Sequence, residues 1–166
     1  MEAGYIQVYT GNGKGKTTAS IGLVARAAGR GLRCFVGQFM KGQGSGELEL
    51  LQRIEEVTVE QFGGPEFVNL SSPSELDRRL SRKGVRRAVE VTAAGAYSLV
   101  VLDEINVALS IGLLSMEEIN SLFDGAARGV EIVCTGRYAP EELIARADLV
   151  TEFVERKHYE IGRAHV

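Results

Sequence analysis

The sequence predicts a three-layer α/β domain built on a mostly parallel sheet of about six strands. Strand-like apolar runs alternate with helical patterns, which is the signature of βαβ units. One run, Ser98 to Leu102, is apolar without interruption, as expected of a central strand covered on both faces. The length of 166 residues suits one domain over residues 1–166, because two halves would each fall short of a well-buried core.

The first strand is read at Tyr5 to Tyr9 and is followed by a helix from Lys16 to Ala28. There Ile21, Val24, Ala25 and Ala28 fall at i, i+3, i+4 and i+7, a stripe of mostly small residues suited to close packing on a sheet. Strands follow at Cys34 to Gln38 and Val57 to Gln61, with a helix near Glu47 to Ile54 between them. Glu131 to Thr135 and Leu149 to Val154, with Ser98 to Leu102, complete the six. Two later helix starts carry capping boxes, Ser72-Pro-Ser-Glu75 and Ser115-Met-Glu-Glu118. Phe62 to Ser71, containing Gly63-Gly64-Pro65, lacks periodicity and reads as a loop.

Composition narrows the function. Net charge is −3 with 19 basic and 22 acidic residues, so no global field draws the chain to nucleic acid or anionic lipid. The longest uncharged stretches, Val91 to Leu102 and Ile105 to Met116, are short of the roughly 20 residues needed to span a bilayer. Glu2 stands where a signal peptide would be basic, and cytoplasmic residence is the expectation. Cys34 and Cys134 form no metal or disulfide pattern and read as core residues. Glycine is in excess, twenty against an average usage of about 7%, and eleven of the twenty lie in residues 1–46.

The first strand ends in Tyr9-Thr-Gly-Asn-Gly-Lys-Gly-Lys-Thr-Thr18 and runs directly into a helix, the context a phosphate-binding loop requires. Gly11, Gly13 and Gly15 would let backbone amides form a nest for polyphosphate oxygens, aided by the positive end of the helix. Lys16 can reach the outer phosphates, and the Thr17 hydroxyl is placed for Mg²⁺. The general pattern G-x-x-x-x-G-K-(S/T) would put its first glycine where this chain has Thr10. A second requirement, a carboxylate at the end of a neighbouring apolar strand, is met by Val100-Val-Leu-Asp-Glu104, with Asp103 the natural magnesium partner. Together these motifs point to a RecA-like P-loop fold.

These residues resemble the P-loop corrinoid adenosyltransferases, which act on cob(I)alamin or cob(I)yrinic acid a,c-diamide. The resemblance runs from Tyr5 to His158, and its most specific piece is Thr10-Gly-Asn-Gly-Lys-Gly-Lys-Thr-Thr-Ala19, displaced first glycine included. Supporting pieces are Arg26, Gln38-Phe-Met-Lys-Gly42, Leu102-Asp-Glu104, Thr135-Gly-Arg137 and Lys157-His158. The resemblance implies transfer of the 5′-deoxyadenosyl group of ATP to Co(I) of a reduced corrinoid, with release of triphosphate. It further implies ATP contacts at Gly11, Asn12, Gly13, Lys14, Gly15, Lys16, Thr17, Thr18 and Arg26. Magnesium would be held by Thr17 and Glu104 with Asp103 nearby, and Lys16, Thr17 and Glu104 would be catalytic. Lys41, Phe62 and Phe67 would serve the corrinoid, the two phenylalanines as candidates for displacing its lower axial ligand. A homodimer and an external reductant for Co(II) are also implied.

Two departures accompany the resemblance. The chain has no tryptophan, although family members place one in the loop after the third strand, and Tyr159 to Val166 does not clearly continue the family pattern. Other readings draw on the same motifs. Arg78, Arg79, Arg82, Lys83, Arg86 and Arg87 form two adjacent i, i+4 rows, which a RecA-like ATPase acting on nucleic acid would use and a solvated helix face would equally show. A small-molecule P-loop kinase or a nucleotide-responsive binding module shares the loop.

Overall fold

The computed structural model describes residues 4–158; Glu2 and the stretch Tyr159 to Val166 lie outside them. Strands β1 (Ile6–Thr10), β2 (Cys34–Phe39), β3 (Val57–Phe62), β4 (Leu99–Asp103), β5 (Glu131–Thr135) and β6 (Leu149–Glu152) form one sheet in the order β3-β2-β4-β5-β1-β6. All neighbouring pairs are parallel, so every strand delivers its carboxyl end to the same edge. Helices α1 (Lys16–Ala28), α2 (Gly46–Leu51), α3 (Glu75–Ala94), α4 (Ile105–Ser110), α5 (Met116–Gly125) and α6 (Glu141–Arg146) make the connections.

The pleat of β4 sorts the core into two layers. Leu99 and Val101 face a cluster with Val24 and Ala28 of α1, while Val100 and Leu102 face a larger one with Val85 and Ala88 of α3 and Ile119 and Leu122 of α5. Every residue of β2 and β4 is buried, which explains the apolar runs Cys34 to Gly37 and Leu99 to Leu102, with the polar Gln38 and Asp103 at their carboxyl ends. The edge strand β6 is exposed throughout. Cys34 and Cys134 are free and buried, and burial pushes their thiols up to about 11 and about 12.

Three local expectations are corrected. The buried line of α1 is Lys16, Ser20, Val24 and Ala28, an i, i+4 ridge, with Ala25 turned to solvent and Ile21 only half-buried. The first capping box is Ser74 with Asp77: the Ser74 hydroxyl accepts from Asp77 N, and the Asp77 carboxylate accepts from Ser74 N at 2.8 Å. Ser72 cannot play that part because its amide donates to Asn69. The second box, Ser115 with Glu118, forms as read. Phe62, assigned to the loop, is the last residue of β3, and the segment from Gly63 to Ser74 has no regular structure.

The basic rows on α3 divide once folded. Arg78 donates to the Gly112 carbonyl, and Arg87 pairs with Glu60 at 2.9 Å and Glu90 at 3.2 Å. Arg79, Arg82, Lys83 and Arg86 stay exposed on the side of α3 opposite Gly84, Val85 and Ala88.

Candidate active site at the strand carboxyl ends

Ligands of open α/β sheets bind outside the carboxyl ends of the strands, and backbone strain gathers at that edge here. Met40 just after β2, Glu104 just after β4 and Tyr138 just after β5 all have φ near +60°. Each such residue costs about 1–3 kcal/mol and persists only where surrounding structure enforces it.

In the loop between β1 and α1, Lys16 folds back so that its Nζ donates to the carbonyls of Gly11 (2.7 Å) and Gly13 (2.6 Å). Burial, with Arg137 nearby, lowers the Lys16 pKa, while Glu104 and Asp103 oppose the shift. Gly15 caps α1 at φ +111°. Asn12, Lys14 and Thr18 are exposed along the same segment. Two of the loop glycines also make room for a second segment. The Gly13 amide donates to the Phe153 carbonyl at 2.7 Å, and a Cβ on Gly11 or Gly13 would lie 2.5 or 2.7 Å from that same oxygen. These glycines therefore admit the chain leaving β6, and one amide of the expected nest is committed to it. Thr10 is explained as well, since its hydroxyl accepts from Ala139 N at 3.2 Å and ties the loop root to the segment after β5.

Asp103 is the hub of the site and is 1% exposed. Its Oδ1 accepts from the Thr17 hydroxyl at 2.8 Å and the Thr135 hydroxyl at 2.7 Å. Its Oδ2 accepts from Gln38 Nε2 at 3.2 Å and lies 3.9 Å from Lys41 Nζ. Four side chains thus converge on one carboxylate, and these donors offset the cost of its burial. Glu104 differs. Burial, then the Asp103 charge, raises its pKa, and Lys41, Lys16 and Arg137 pull it back. Its amide donates to Thr135 Oγ1 at 3.1 Å, so Thr135 orients both acids.

Behind these groups Asn106 of α4 is fully buried and donates through Nδ2 to the Tyr9 carbonyl (3.1 Å) and the Gly136 carbonyl (2.9 Å). It fastens the end of β1 to the end of β5 across the root of β4. Two carbonyl acceptors fix the amide orientation and leave Oδ1 buried without a partner.

A glycine-rich loop, a buried lysine and a hydroxyl held on a strand-end carboxylate are brought together at this edge, and comparison with known proteins specifies the family. The family model for "ATP:corrinoid adenosyltransferase BtuR/CobO/CobP" matches residues 2–164. The chain belongs to the ATP:corrinoid adenosyltransferases. It is 35% identical to the corrinoid adenosyltransferase of Pseudomonas aeruginosa over 95% of this chain and 78% of that one. The Escherichia coli corrinoid adenosyltransferase is 34% identical over 95% of this chain and 80% of its own length. An uncharacterized protein of Nostoc is 36% identical, and this chain spans 45% of it. Among solved structures, a KaiC-like protein of Pyrococcus horikoshii superposes with a TM-score of 0.57 over 93% of this chain and 74% of its own, at 18% identity. That likeness concerns the fold.

For an ATP:corrinoid adenosyltransferase, the sequence-predicted site separates into two groups. Lys16, Thr17, Asp103 and Glu104 come together, and Lys41 joins them through Asp103. Arg26 does not. It lies ten residues along α1 from Lys16, about 15 Å at helical rise, and lines a cavity with Arg30, Ser98 and Glu131 at the amino ends of β4 and β5. Phe62 is 3% exposed and packs on Phe39 with centroids 5.6 Å apart, so it is a core residue and cannot wedge under a substrate. Phe67 is 90% exposed on the segment after β3. Sequence reasoning gave no role to Thr135, Gln38, Asn106 or Phe153. For the first three the signal was a polar residue at or just beyond the end of an apolar strand; Phe153 carried none, because its carbonyl does the work.

Proposed function

We propose that this chain moves the 5′-deoxyadenosyl group of ATP onto Co(I) of a reduced corrinoid in one displacement. The electron pair of Co(I) forms the cobalt–carbon bond at C5′, the C5′–oxygen bond breaks with its pair, and inorganic triphosphate departs. No proton is transferred, so no general base is required. The observation that carries the reading is the pairing of Thr17 with Asp103 beside Lys16, in a chain of this family. Lys16 and the backbone amides of residues 11–17 other than Gly13 would stabilise the negative charge that grows on the departing phosphate oxygens. Asn12, Lys14 and Thr18, on the same segment, would complete the phosphate contacts.

The oxygen donors Thr17, Asp103 and Glu104 suit Mg²⁺. Among the described residues no cluster of three or more His, Cys, Asp or Glu could hold a metal by itself, which fits an ion that uses one or two carboxylates together with substrate phosphates. When bound, Mg²⁺ would supply charge to the leaving group. The raised pKa of Glu104 suits a carboxylate awaiting a cation. Phe67, exposed beyond β3, is the candidate for contacting the corrinoid from its lower face, and Lys41 lies between that loop and Asp103. Co(I) would come from an external reductant, and a homodimer is the expected assembly.

The product decides. ATP, Mg²⁺ and chemically reduced cobalamin should yield adenosylcobalamin, followed by its absorbance, and triphosphate in equal amount. Release of ADP would refute the displacement and indicate phosphoryl transfer instead.

A further inference from the structure

A line of amides leads from the phosphate centre to the segment that carries Phe67. Gln38 Nε2 donates to Asp103 Oδ2 (3.2 Å), Gln61 Nε2 donates to Gln38 Oε1 (3.2 Å) and to the Gln43 carbonyl (2.9 Å), and Gln43 Nε2 donates to the Pro65 carbonyl (2.7 Å). Its direction is set at one end. A carboxylate only accepts, so Gln38 must present its nitrogen to Asp103 and its oxygen to Gln61, which fixes the Gln61 amide; Gln43 takes the Gln61 donor on its backbone carbonyl and turns its own nitrogen to the Pro65 carbonyl. The backbones along this line touch. A Cβ on Gly42 would lie 2.4 Å from the Gly63 carbonyl oxygen, and one on Gly63 would lie 2.3 Å from Lys41 N. The segments after β2 and β3 are therefore packed backbone to backbone, and Pro65 is two residues from Phe67.

Core packing does not require this arrangement. Gln38 is 1% exposed and lies in register with Gln61 of β3 on one side and Asp103 of β4 on the other, so its buried amide is paired at both ends across the sheet. What the amides add is a directional link between Asp103 and residues 63–67.

We infer that Gln38, Gln61 and Gln43 are positioning residues that couple occupancy of the phosphate centre to the setting of the loop carrying Phe67. The inference rests on the proposed function in taking that loop as the second-substrate loop. Phosphate oxygens would compete with Asp103 for the Gln38 donor, a cation would compete with Gln38 for the Asp103 oxygen, and the shift passes through Gln61 and Gln43 to Pro65. ATP would thus prepare the corrinoid side before a corrinoid arrives.

The absence of tryptophan makes a clean reporter possible. In Phe67→Trp, titration with Mg·ATP alone should change emission and acrylamide quenching of the single tryptophan. Adding Gln61→Met, which keeps length and loses both hydrogen bonds, should reduce that change at least fivefold, with ATP affinity by calorimetry within about twofold. Gln43→Ala, at an exposed position and safe for folding, should act in the same direction. With Phe67 restored, Gln61→Met should raise KM for the corrinoid about tenfold, the equivalent of losing one or two hydrogen bonds of about 1 kcal/mol each, with KM for ATP nearly unchanged. No response in Phe67→Trp, or the same response with and without Gln61→Met or Gln43→Ala, overturns the coupling. The fluorescence arm needs no turnover, so ADP release in the product assay would sink the proposed function and leave this result readable, and the converse also holds.

Discussion

Gly13→Ala tests how the phosphate loop is built. Gly13 does not need a positive φ, so the substitution introduces no backbone strain of its own. It introduces a methyl 2.7 Å from the Phe153 oxygen, 2.8 Å from the Phe153 carbonyl carbon and 3.0 Å from the Val154 carbonyl carbon, all backbone atoms that cannot rotate away. The segment after β6 must lift, and the 2.7 Å bond from Gly13 N to Phe153 O stretches or breaks. A lost hydrogen bond is worth about 1 kcal/mol and overpacking about 1–3 kcal/mol, so the expected destabilisation is about 2–4 kcal/mol. For a chain of this size that corresponds to a fall in Tm of roughly 4–16 °C. Thermal melting by circular dichroism measures it, with Gly44→Ala as control. A Cβ at Gly44 meets nothing within 4 Å, and that variant should melt at or slightly above the parent temperature. If Gly13→Ala melts within a degree of the parent, the Phe153 segment is not seated on the loop, and the account of these glycines fails.

Glu104→Gln should raise stability while lowering turnover. The Glu104 pKa lies above the ordinary carboxylate value, so the folded state keeps a proton that the unfolded chain has already released. Stability then falls as pH rises from the usual carboxylate pKa through the folded one. The glutamine variant should flatten that part of the pH–stability profile and melt higher at pH 7; a profile as steep as the parent's would count against the assignment. Phe62→Ala should cost about 3–5 kcal/mol in urea unfolding, whereas Phe67→Ala should leave unfolding unchanged and slow turnover from Co(II). Equal effects of the two on stability would contradict their opposite burial. Asn106→Ala strips donors from two buried carbonyls and should cost about 2–4 kcal/mol by chemical denaturation, and a loss below 1 kcal/mol would mean that Asn106 does not clamp β1 to β5.

Where sequence reasoning succeeded, the signal was local. The central strand β4 was legible because a strand covered on both faces is apolar along nearly its whole length, the other strands because each is a short strand-forming run between turn residues, and the join of strand, glycine-rich loop and helix from Gly11 to Thr17 because its residues lie in one short segment. The second capping box was legible for the same reason. The first was misread because Ser72 and Ser74 both begin an acceptable pattern, and only the Asn69 turn, which occupies the Ser72 amide, decides between them. Of the three six-residue helices, α2 was read and α4 and α6 were not, because a segment that short carries too little periodicity to register dependably.

The sequence by itself determined that a glycine-rich loop at residues 11–17 joins a strand to a helix, that Asp103 ends an apolar strand, and that the chain resembles the corrinoid adenosyltransferases. Tertiary structure alone decided what the neighbouring residues do. Arg26 and Lys16 share a helix, but the rise per residue carries Arg26 to the far edge of the sheet. Phe62 and Phe67 look equivalent in a glycine-rich stretch, yet the strand ends between them, and one is core while the other is exposed. The excess of glycine takes on the same double character: a turn residue such as Gly15 can be guessed from its motif, while Gly11 and Gly13 answer to Phe153, some 140 positions later. Contacts between segments so far apart leave no mark on local sequence, because they are fixed by the order of strands in the sheet.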